Sequence, residues 1–225
     1  LTAGSKSTPL SEGYSTRLGL YGGIVTEFRT QERLSLRVEF NYSSQGGKRN
    51  GIQALPLMPE LTQLWQTLPD YGVTTDNYMY ADIKSEAILN YFEIPVLAKA
   101  TFGLGSKVHF YINAGPYFGY LMNAKNITSG SSSIYIDGKG TMPLDAILQQ
   151  AGMQGIGEVN FTSDENITSD THRFNVGGEG AVGFELKMNS GKLFIEGGGN
   201  YGLIQIQKDD ANGANHTGAG TVSVG

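Results

Sequence analysis

The sequence predicts an all-β protein, a transmembrane antiparallel up-and-down β-barrel, from three observations. Residues 34–43 alternate apolar and polar side chains without a break, which is long for a soluble strand and matches the about 9–11 residues that a tilted strand needs to cross a bilayer. Charged residues make up 16% of the chain, against about 25% in soluble domains, and its 32 glycines are about twice the usual share. Short and long connections alternate along the chain, as in bacterial outer-membrane barrels.

The composition excludes several other classes. No run of 18 or more apolar residues occurs, so a helical membrane span is not expected. The absence of cysteine rules out a disulfide framework and a thiolate metal site, and fits a compartment outside the cytoplasm. With a net charge of -5 and 16 Lys+Arg, nucleic acid is not an expected partner. The start of the chain has no basic, apolar signal segment, which favours a mature or trimmed form.

The wall of the barrel is predicted from seven alternating segments. They are residues 14–28, 34–43, 87–102, 108–122, 173–186, 192–206 and a last one from about 217 to the end. Tight turns are predicted at 29–33, 103–107 and 187–191, and long extracellular loops at 45–86 and 125–172. Because such barrels have an even number of strands, we expect a single domain over residues 1–225 of an eight-stranded barrel. We expect the first strand to precede Leu1 and the last strand to continue past Gly225.

Five segments resemble the PorT-type family of outer-membrane β-barrels, which is common in Bacteroidota. They are NYSSQGGK (41–48), NYFEIPVLAK (90–99), YINAGPYFGYLMNAK (111–125), NVGGEGAVGFEL (175–186) and NYGLIQI (200–206). The resemblance implies an eight-stranded barrel without a general catalytic motif. Members differ in role, and one is tied to a secretion pathway.

Charged residues on the inward face of the predicted strands form a candidate lumen network. An eight-stranded barrel is just wide enough for side chains to fill it, and buried charges must pair or change their protonation. We therefore expect a mutually satisfied polar plug, the alternative being a path for protons or small solutes. The residues are Arg37, Glu39, Glu93, Lys99, Arg173, Glu179 and Glu196, with Glu185 beside them.

Each long loop contains a predicted short amphipathic helix. Residues 59–68 begin with proline, a favoured first helical residue, and residues 143–151 repeat the pattern. The apolar stripes must be buried against the barrel mouth, against each other, or against a partner protein, and the only tryptophan lies on one of them. The candidate partner-binding residues are Leu57, Leu61, Leu64, Trp65, Leu68, Leu144, Ile147 and Leu148.

The histidines His109, His172 and His216 do not have a metal-ligand spacing, so neither a metal nor a cofactor is expected. A serine beside His172 or His216 could in principle make a lipid-modifying enzyme, but no motif supports it. We therefore expect a non-enzymatic protein of the bacterial outer membrane, in contact with lipid and lipopolysaccharide. Its expected role is that of a structural or accessory subunit of a cell-surface or secretion complex, acting through its loops. A narrow small-solute channel is the alternative.

Overall fold

A computed structural model describes residues 8–75, 77–103, 107–189, 191–209 and 213–225. Parts of the predicted turns, residues 104–106 and Ser190, lie outside the described residues, as does the start of the chain. The helices are α1 (Thr62–Thr67) and α2 (Leu144–Gln150), with 3-10 turns at Pro59–Leu61, Leu68–Tyr71 and Thr168–Asp170. The strands are β1 (Ser15–Thr16), β2 (Tyr21–Arg29), β3 (Leu34–Pro56), β4 (Tyr78–Gly103), β5 (Val108–Ser129), β6 (Ser131–Ser132), β7 (Val159–Asn160), β8 (Ser163–Asn166), β9 (Phe174–Met188), β10 (Gly191–Gly202) and β11 (Gly218–Val224).

The long strands form one curled antiparallel sheet in chain order. The strand order is β1 and β2, which both pair with β3, followed by β4, β5, β9, β10 and β11. The short strand β8 pairs with residues 125–128 of β5. Each neighbouring pair is antiparallel, which gives the predicted up-and-down arrangement. The curl brings β3 opposite β10, where Arg37 contacts Glu196 across the interior. The fold is therefore all-β and antiparallel.

Three strands are longer than predicted, and the loops between them are correspondingly shorter. The predicted loop at 45–86 is wrong at both ends, because β3 continues to Pro56 and β4 begins at Tyr78. The predicted loop at 125–172 is wrong at its start, because β5 continues to Ser129. The physical reason is that the outward face of these strand ends carries polar and charged residues, as Asp82, Lys84 and Glu86 do on β4, so the apolar alternation used for the prediction does not mark them.

Two other strand boundaries also differ from the prediction. Residues 14–28 are not one strand, because β1 pairs Thr16 with Gly47 and β2 pairs Tyr21 with Ser43. Between these two pairs, four residues (17–20) lie opposite three residues of β3 (44–46), which makes a bulge. Gly19 lies in this bulge so close to the Ser44 carbonyl oxygen that an added Cβ would clash with it. The segment 192–206 leaves the sheet after Gly202, because Ile206 turns inward and is buried at the barrel mouth.

Candidate functional site: the filled lumen and the extracellular cap

Two rows of aromatic side chains mark the edges of the lipid-facing wall. One row pairs Tyr42, Phe92, Tyr120 and Phe174 across four neighbouring strands, and the other pairs Phe102, Phe110 and Phe184. The two rows are ten residues apart on β4, or about 34 Å along the strand and about 26 Å along the normal at a tilt of about 40°. That is the height of the apolar band of an outer-membrane barrel, about 25 Å. Just above the upper row, Ser44, Asn90 and Asn123 replace the aromatics, and their polar side chains mark the change of solvent.

The turn-side layer of the lumen is an ion-pair cluster around the buried Lys99. Its Nζ lies 2.6 Å from Glu185 Oε2 and 3.0 Å from Glu27 Oε2. Lys192 lies 3.2 Å from Glu27 and 3.5 Å from Glu185, so both carboxylates are shared by two cations. Lys99 was predicted to lie in the lumen. Glu27 and Lys192 were not predicted to be lumen residues. Glu27 could have been found from its pattern, because it lies on the face of β2 opposite the apolar Ile24 and Phe28.

The middle layer of the lumen is organised by Arg37. This guanidinium lies 2.5 Å from Glu39 Oε1 and 2.7 Å from Glu196 Oε2, and stands over the Phe194 ring at 5.2 Å. Asn113 donates a hydrogen bond of 2.8 Å to Glu196 as well. The structure thus brings together three predicted residues, Arg37, Glu39 and Glu196, in one network.

The next layer contains carboxylates without a cation. Glu93 is buried and accepts hydrogen bonds from Gln45 Nε2 at 2.7 Å and Asn200 Nδ2 at 3.5 Å. Within the described part of the chain, neither Glu93 nor Glu179 forms a salt bridge, and Glu179 Oε2 is buried without a hydrogen-bond partner. Both predicted residues face the lumen, but the expected pairing is incomplete here.

The loop-side end of the lumen is closed by neutral side chains. Asn175 donates to Thr217 Oγ1 at 2.8 Å. Above this pair, Leu89, Tyr91, Leu121, Ala124 and Ile206 pack into a buried apolar cluster. Arg173 was predicted to belong to the charged network and does not join it. It lies at the rim, and its Nη1 donates to the carbonyl oxygens of Leu121 and Met122 at 3.0 and 3.1 Å, since a guanidinium there can reach backbone acceptors close to water.

Above the upper aromatic row the chain builds a second unit, the cap, formed by residues 45–90 and 123–172. Both predicted helices are present, and their apolar stripes pack on each other rather than standing free. Trp65, Leu68, Leu144 and Leu148 are buried with Met79, Ile134 and Ile136 in one cluster. Leu57, Leu61, Leu64 and Ile147 are partly buried against the same cluster. These eight side chains therefore form a core in which the two stripes are buried against each other, one of the three arrangements that the sequence allows.

Carboxylates of the cap hold its loops in place. Asp145 accepts the backbone N–H groups of Ile156 at 2.7 Å and Gly157 at 2.8 Å, and so fixes the segment that follows α2. Asp137 accepts Thr141 N–H at 2.9 Å, Met142 N–H at 2.8 Å and the Thr141 hydroxyl at 2.8 Å. Burial acts to raise the pKa of Asp137, but these hydrogen bonds outweigh it and lower the pKa below its usual value.

The structure shows what the side chains of His216 and His109 contact. His216 lies with Nδ1 3.1 Å from the Gly202 carbonyl oxygen and stacks on Tyr201, with ring centroids 5.8 Å apart. His109 Nε2 lies 3.4 Å from Lys187 Nζ, at the other end of the barrel. Among the residues that the structure describes, no group of three His, Cys, Asp or Glu is placed to hold a metal ion. Nor does the described chain contain a helix long and apolar enough to span a membrane.

Comparison with known families agrees with this geometry. The family model described as outer membrane protein beta-barrel domain matches residues 4–208. Because this match covers most of the chain, the protein belongs to that family of outer-membrane β-barrels, and its location is the bacterial outer membrane. Neither a curated protein nor a solved structure matches the chain.

Proposed function

We propose that this protein is a non-enzymatic outer-membrane anchor that presents its cap to a protein partner in a cell-surface or secretion complex. The observation that carries the proposal is that the cap has its own hydrophobic core and stands on strands that continue from the barrel wall. A cap built in this way is held rigidly at a fixed height above the membrane. Pre-organised surfaces of this kind favour protein recognition, because little conformational entropy is lost on binding. The resemblance to the PorT-type family, one member of which serves secretion, supports the same proposal.

The partner contact is assigned to side chains that remain exposed on the cap. Because the two helix stripes pack into its core, most of their apolar surface is unavailable to a partner while the cap is folded. Met142, Met153 and Ile156 are large apolar side chains of the cap that stay exposed. The backbone of Ile156 is also held in place, because its N–H donates a hydrogen bond to Asp145. Methionine and apolar residues on a fixed backbone are common in the cores of protein interfaces.

The test is affinity purification from native membranes in a mild detergent, with identification of co-purifying proteins. The double variant Met153→Ser and Ile156→Ser should lose the partner, while unheated samples still migrate as a folded barrel in SDS gels. Gln66→Ser, on the exposed side of α1, is the matched control and should keep it. Equal co-purification by the double variant and the control, or no partner in any sample, would remove the proposal.

We also propose that the intact barrel has eight strands. The antiparallel wall strands alternate in direction, so β2 and β11, the first and last full strands, run the same way. An antiparallel barrel can close between two such edges only through a further strand that runs opposite to both. The side chains at these edges support this, because Ile24, Val222 and Val224 are 71–81% exposed, against 43% for Ile112 and 51% for Val182 inside the sheet. A neighbouring strand would cover the difference.

A conducting channel is the main alternative, and the lumen geometry speaks against it. Ion pairs, a buried carboxylate layer and an apolar cluster follow one another along the axis. We expect purified protein in planar bilayers to be electrically silent, whereas steady single-channel steps would favour the channel. Lipid A from deletion and wild-type cells should have the same mass spectrum, and a difference would favour a lipid-modifying enzyme.

A further inference from the structure

The lumen contains more negative charge than its own cations balance. Its salt bridges use three cations, Arg37, Lys99 and Lys192, and four carboxylates, Glu27, Glu39, Glu185 and Glu196. Glu93 and Glu179 are two further carboxylates, and in the described ranges no salt bridge reaches either one. Buried ionised carboxylates are costly unless they are paired. In the described chain, neither of these two residues therefore has a cation within salt-bridge distance.

Hydrogen-bond acceptors are also in excess at the same height. Glu179 Oε2, Gln45 Oε1 and Asn200 Oδ1 are buried oxygens without a hydrogen-bond partner. Gln45 and Asn200 are only 6% and 8% exposed, and both donate their amide N–H to Glu93. Turning either amide over would satisfy its oxygen poorly and take a donor from Glu93, so the shortage of donors remains. A side chain that carries several N–H donors is what the site is missing.

The shortage lies next to the seam between β2 and β11, two edge strands that do not pair with each other. Glu179 pairs in register with Asn200, and Asn200 pairs with Ala219 on the last strand. The residues of β11 on this face are small: Ala219, Thr221 and Ser223. On the β11 side, a long side chain that enters from a strand in the seam therefore passes only small residues on its way to Glu179.

We infer that the strand which closes the barrel between β2 and β11 carries an inward lysine or arginine that pairs with Glu179 and Glu93. This inference rests on the eight-stranded barrel proposed above. The occupant is a membrane-length strand of the same polypeptide, antiparallel to both edges, with apolar residues toward lipid beside Ile24 and Val222. A bound metal ion does not meet the need equally well, because the described carboxylates do not form a metal-binding group.

The experiment adds synthetic strands to the chain of residues 1–225 in detergent micelles. Each peptide has 11 residues that alternate leucine or valine with serine, and one inward position is Lys, Gln or Glu, scanned along the peptide. Native mass spectrometry gives the dissociation constant. At one position the Lys peptide should bind at least roughly tenfold tighter than the Gln peptide, since hydrogen bonds to charged groups are the stronger ones. The Glu peptide should bind most weakly.

A receptor variant tests the assigned partner. In Glu179→Gln the preference for Lys over Gln should fall severalfold, whereas Glu158→Gln, an exposed residue of the cap, should keep it. If Lys, Gln and Glu peptides bind equally, the cationic residue is wrong while the closing strand stands. If no peptide binds to a chain that migrates as a folded barrel in unheated SDS gels, the closing strand itself is wrong. A dimer of the chain without peptide, or a second polypeptide released on heating protein from native membranes, would assign the seam to another chain and overturn the inference.

Discussion

The barrel and the cap share the same strands but bury opposite kinds of side chain. On β4, one face is buried from Met79 to Lys99: from Met79 to Tyr91 it is apolar except for Ser85, and below Tyr91 it carries the charged Glu93 and Lys99. The other face carries Asp82, Lys84 and Glu86 in the cap, and then Phe92 and Val96 in the wall. The polarity of both faces reverses between Asn90 and Phe92, at the upper aromatic row. The solvent outside therefore decides which side chains are buried, since water favours an apolar interior and lipid permits a charged one.

The largest expected effect comes from breaking the charged interior. Lys99→Met leaves the buried Glu185 with only the more distant Lys192, and loss of one partner of a buried ion pair costs about 3–5 kcal/mol. The urea midpoint at which unheated protein loses its folded migration in SDS gels should fall accordingly. Lys125→Met is the control, because its pair with Asp164 in the cap is exposed and worth about 0–1 kcal/mol. Equal midpoints for the two variants would show that the lumen charges contribute no special stability.

A matching change in the cap should act through packing. Leu68 is fully buried in the cap core, and Leu68→Ala should cost about 2–5 kcal/mol through the cavity that it leaves. The single tryptophan, Trp65, lies in the same core, so its fluorescence reports unfolding of the cap. We expect the fluorescence midpoint in urea to fall while the folded migration of the barrel is kept. Leu68→Met should cost less than about 1.5 kcal/mol. Simultaneous loss of both signals would mean that cap and barrel unfold as one unit.

The same reversal explains what the sequence could predict. Between the aromatic rows the alternation keeps one phase, so the residue pattern predicted the strand cores and the inward positions of Arg37 and Lys99. Both cap helices were also predicted, from the spacing of their apolar residues. Above the upper row the alternation continues on β4 with Met79, Ala81 and Ile83, but in the opposite phase, so the pattern of the wall does not extend there and predicts a loop. A search for a change of phase, rather than for its end, would have found the extension. The pairing of Glu27 with Lys192, from distant strands, depends on the curl of the sheet and on no local pattern.

The position of the reversal can be measured with one substituted residue on each side of it. Val96 faces lipid between the aromatic rows, and Val96→Arg should cost about 2–4 kcal/mol, the value for a cation near the membrane midplane. Ile88 lies on the same face of the same strand above the upper row, and Ile88→Arg should cost about 0–1 kcal/mol. The comparison is made by urea titration in phospholipid vesicles. Similar costs at both positions would place the upper membrane boundary above Ile88.

The smallest expected effect concerns a loop of the cap and depends on pH. The hydrogen bonds to Asp137 lower its pKa in the folded state below the ordinary value of about 3.9. Their contribution is therefore complete above about pH 4 and is lost as the pH falls through the folded-state pKa. In Asp137→Asn the backbone amides of Thr141 and Met142 should exchange hydrogen faster at neutral pH, because a neutral oxygen is the weaker acceptor. The fluorescence midpoint of Trp65 should stay nearly unchanged. If the two amides exchange at the wild-type rate, the carboxylate charge does not hold this loop, and the backbone of residues 137–142 is fixed by its packing on the cap core.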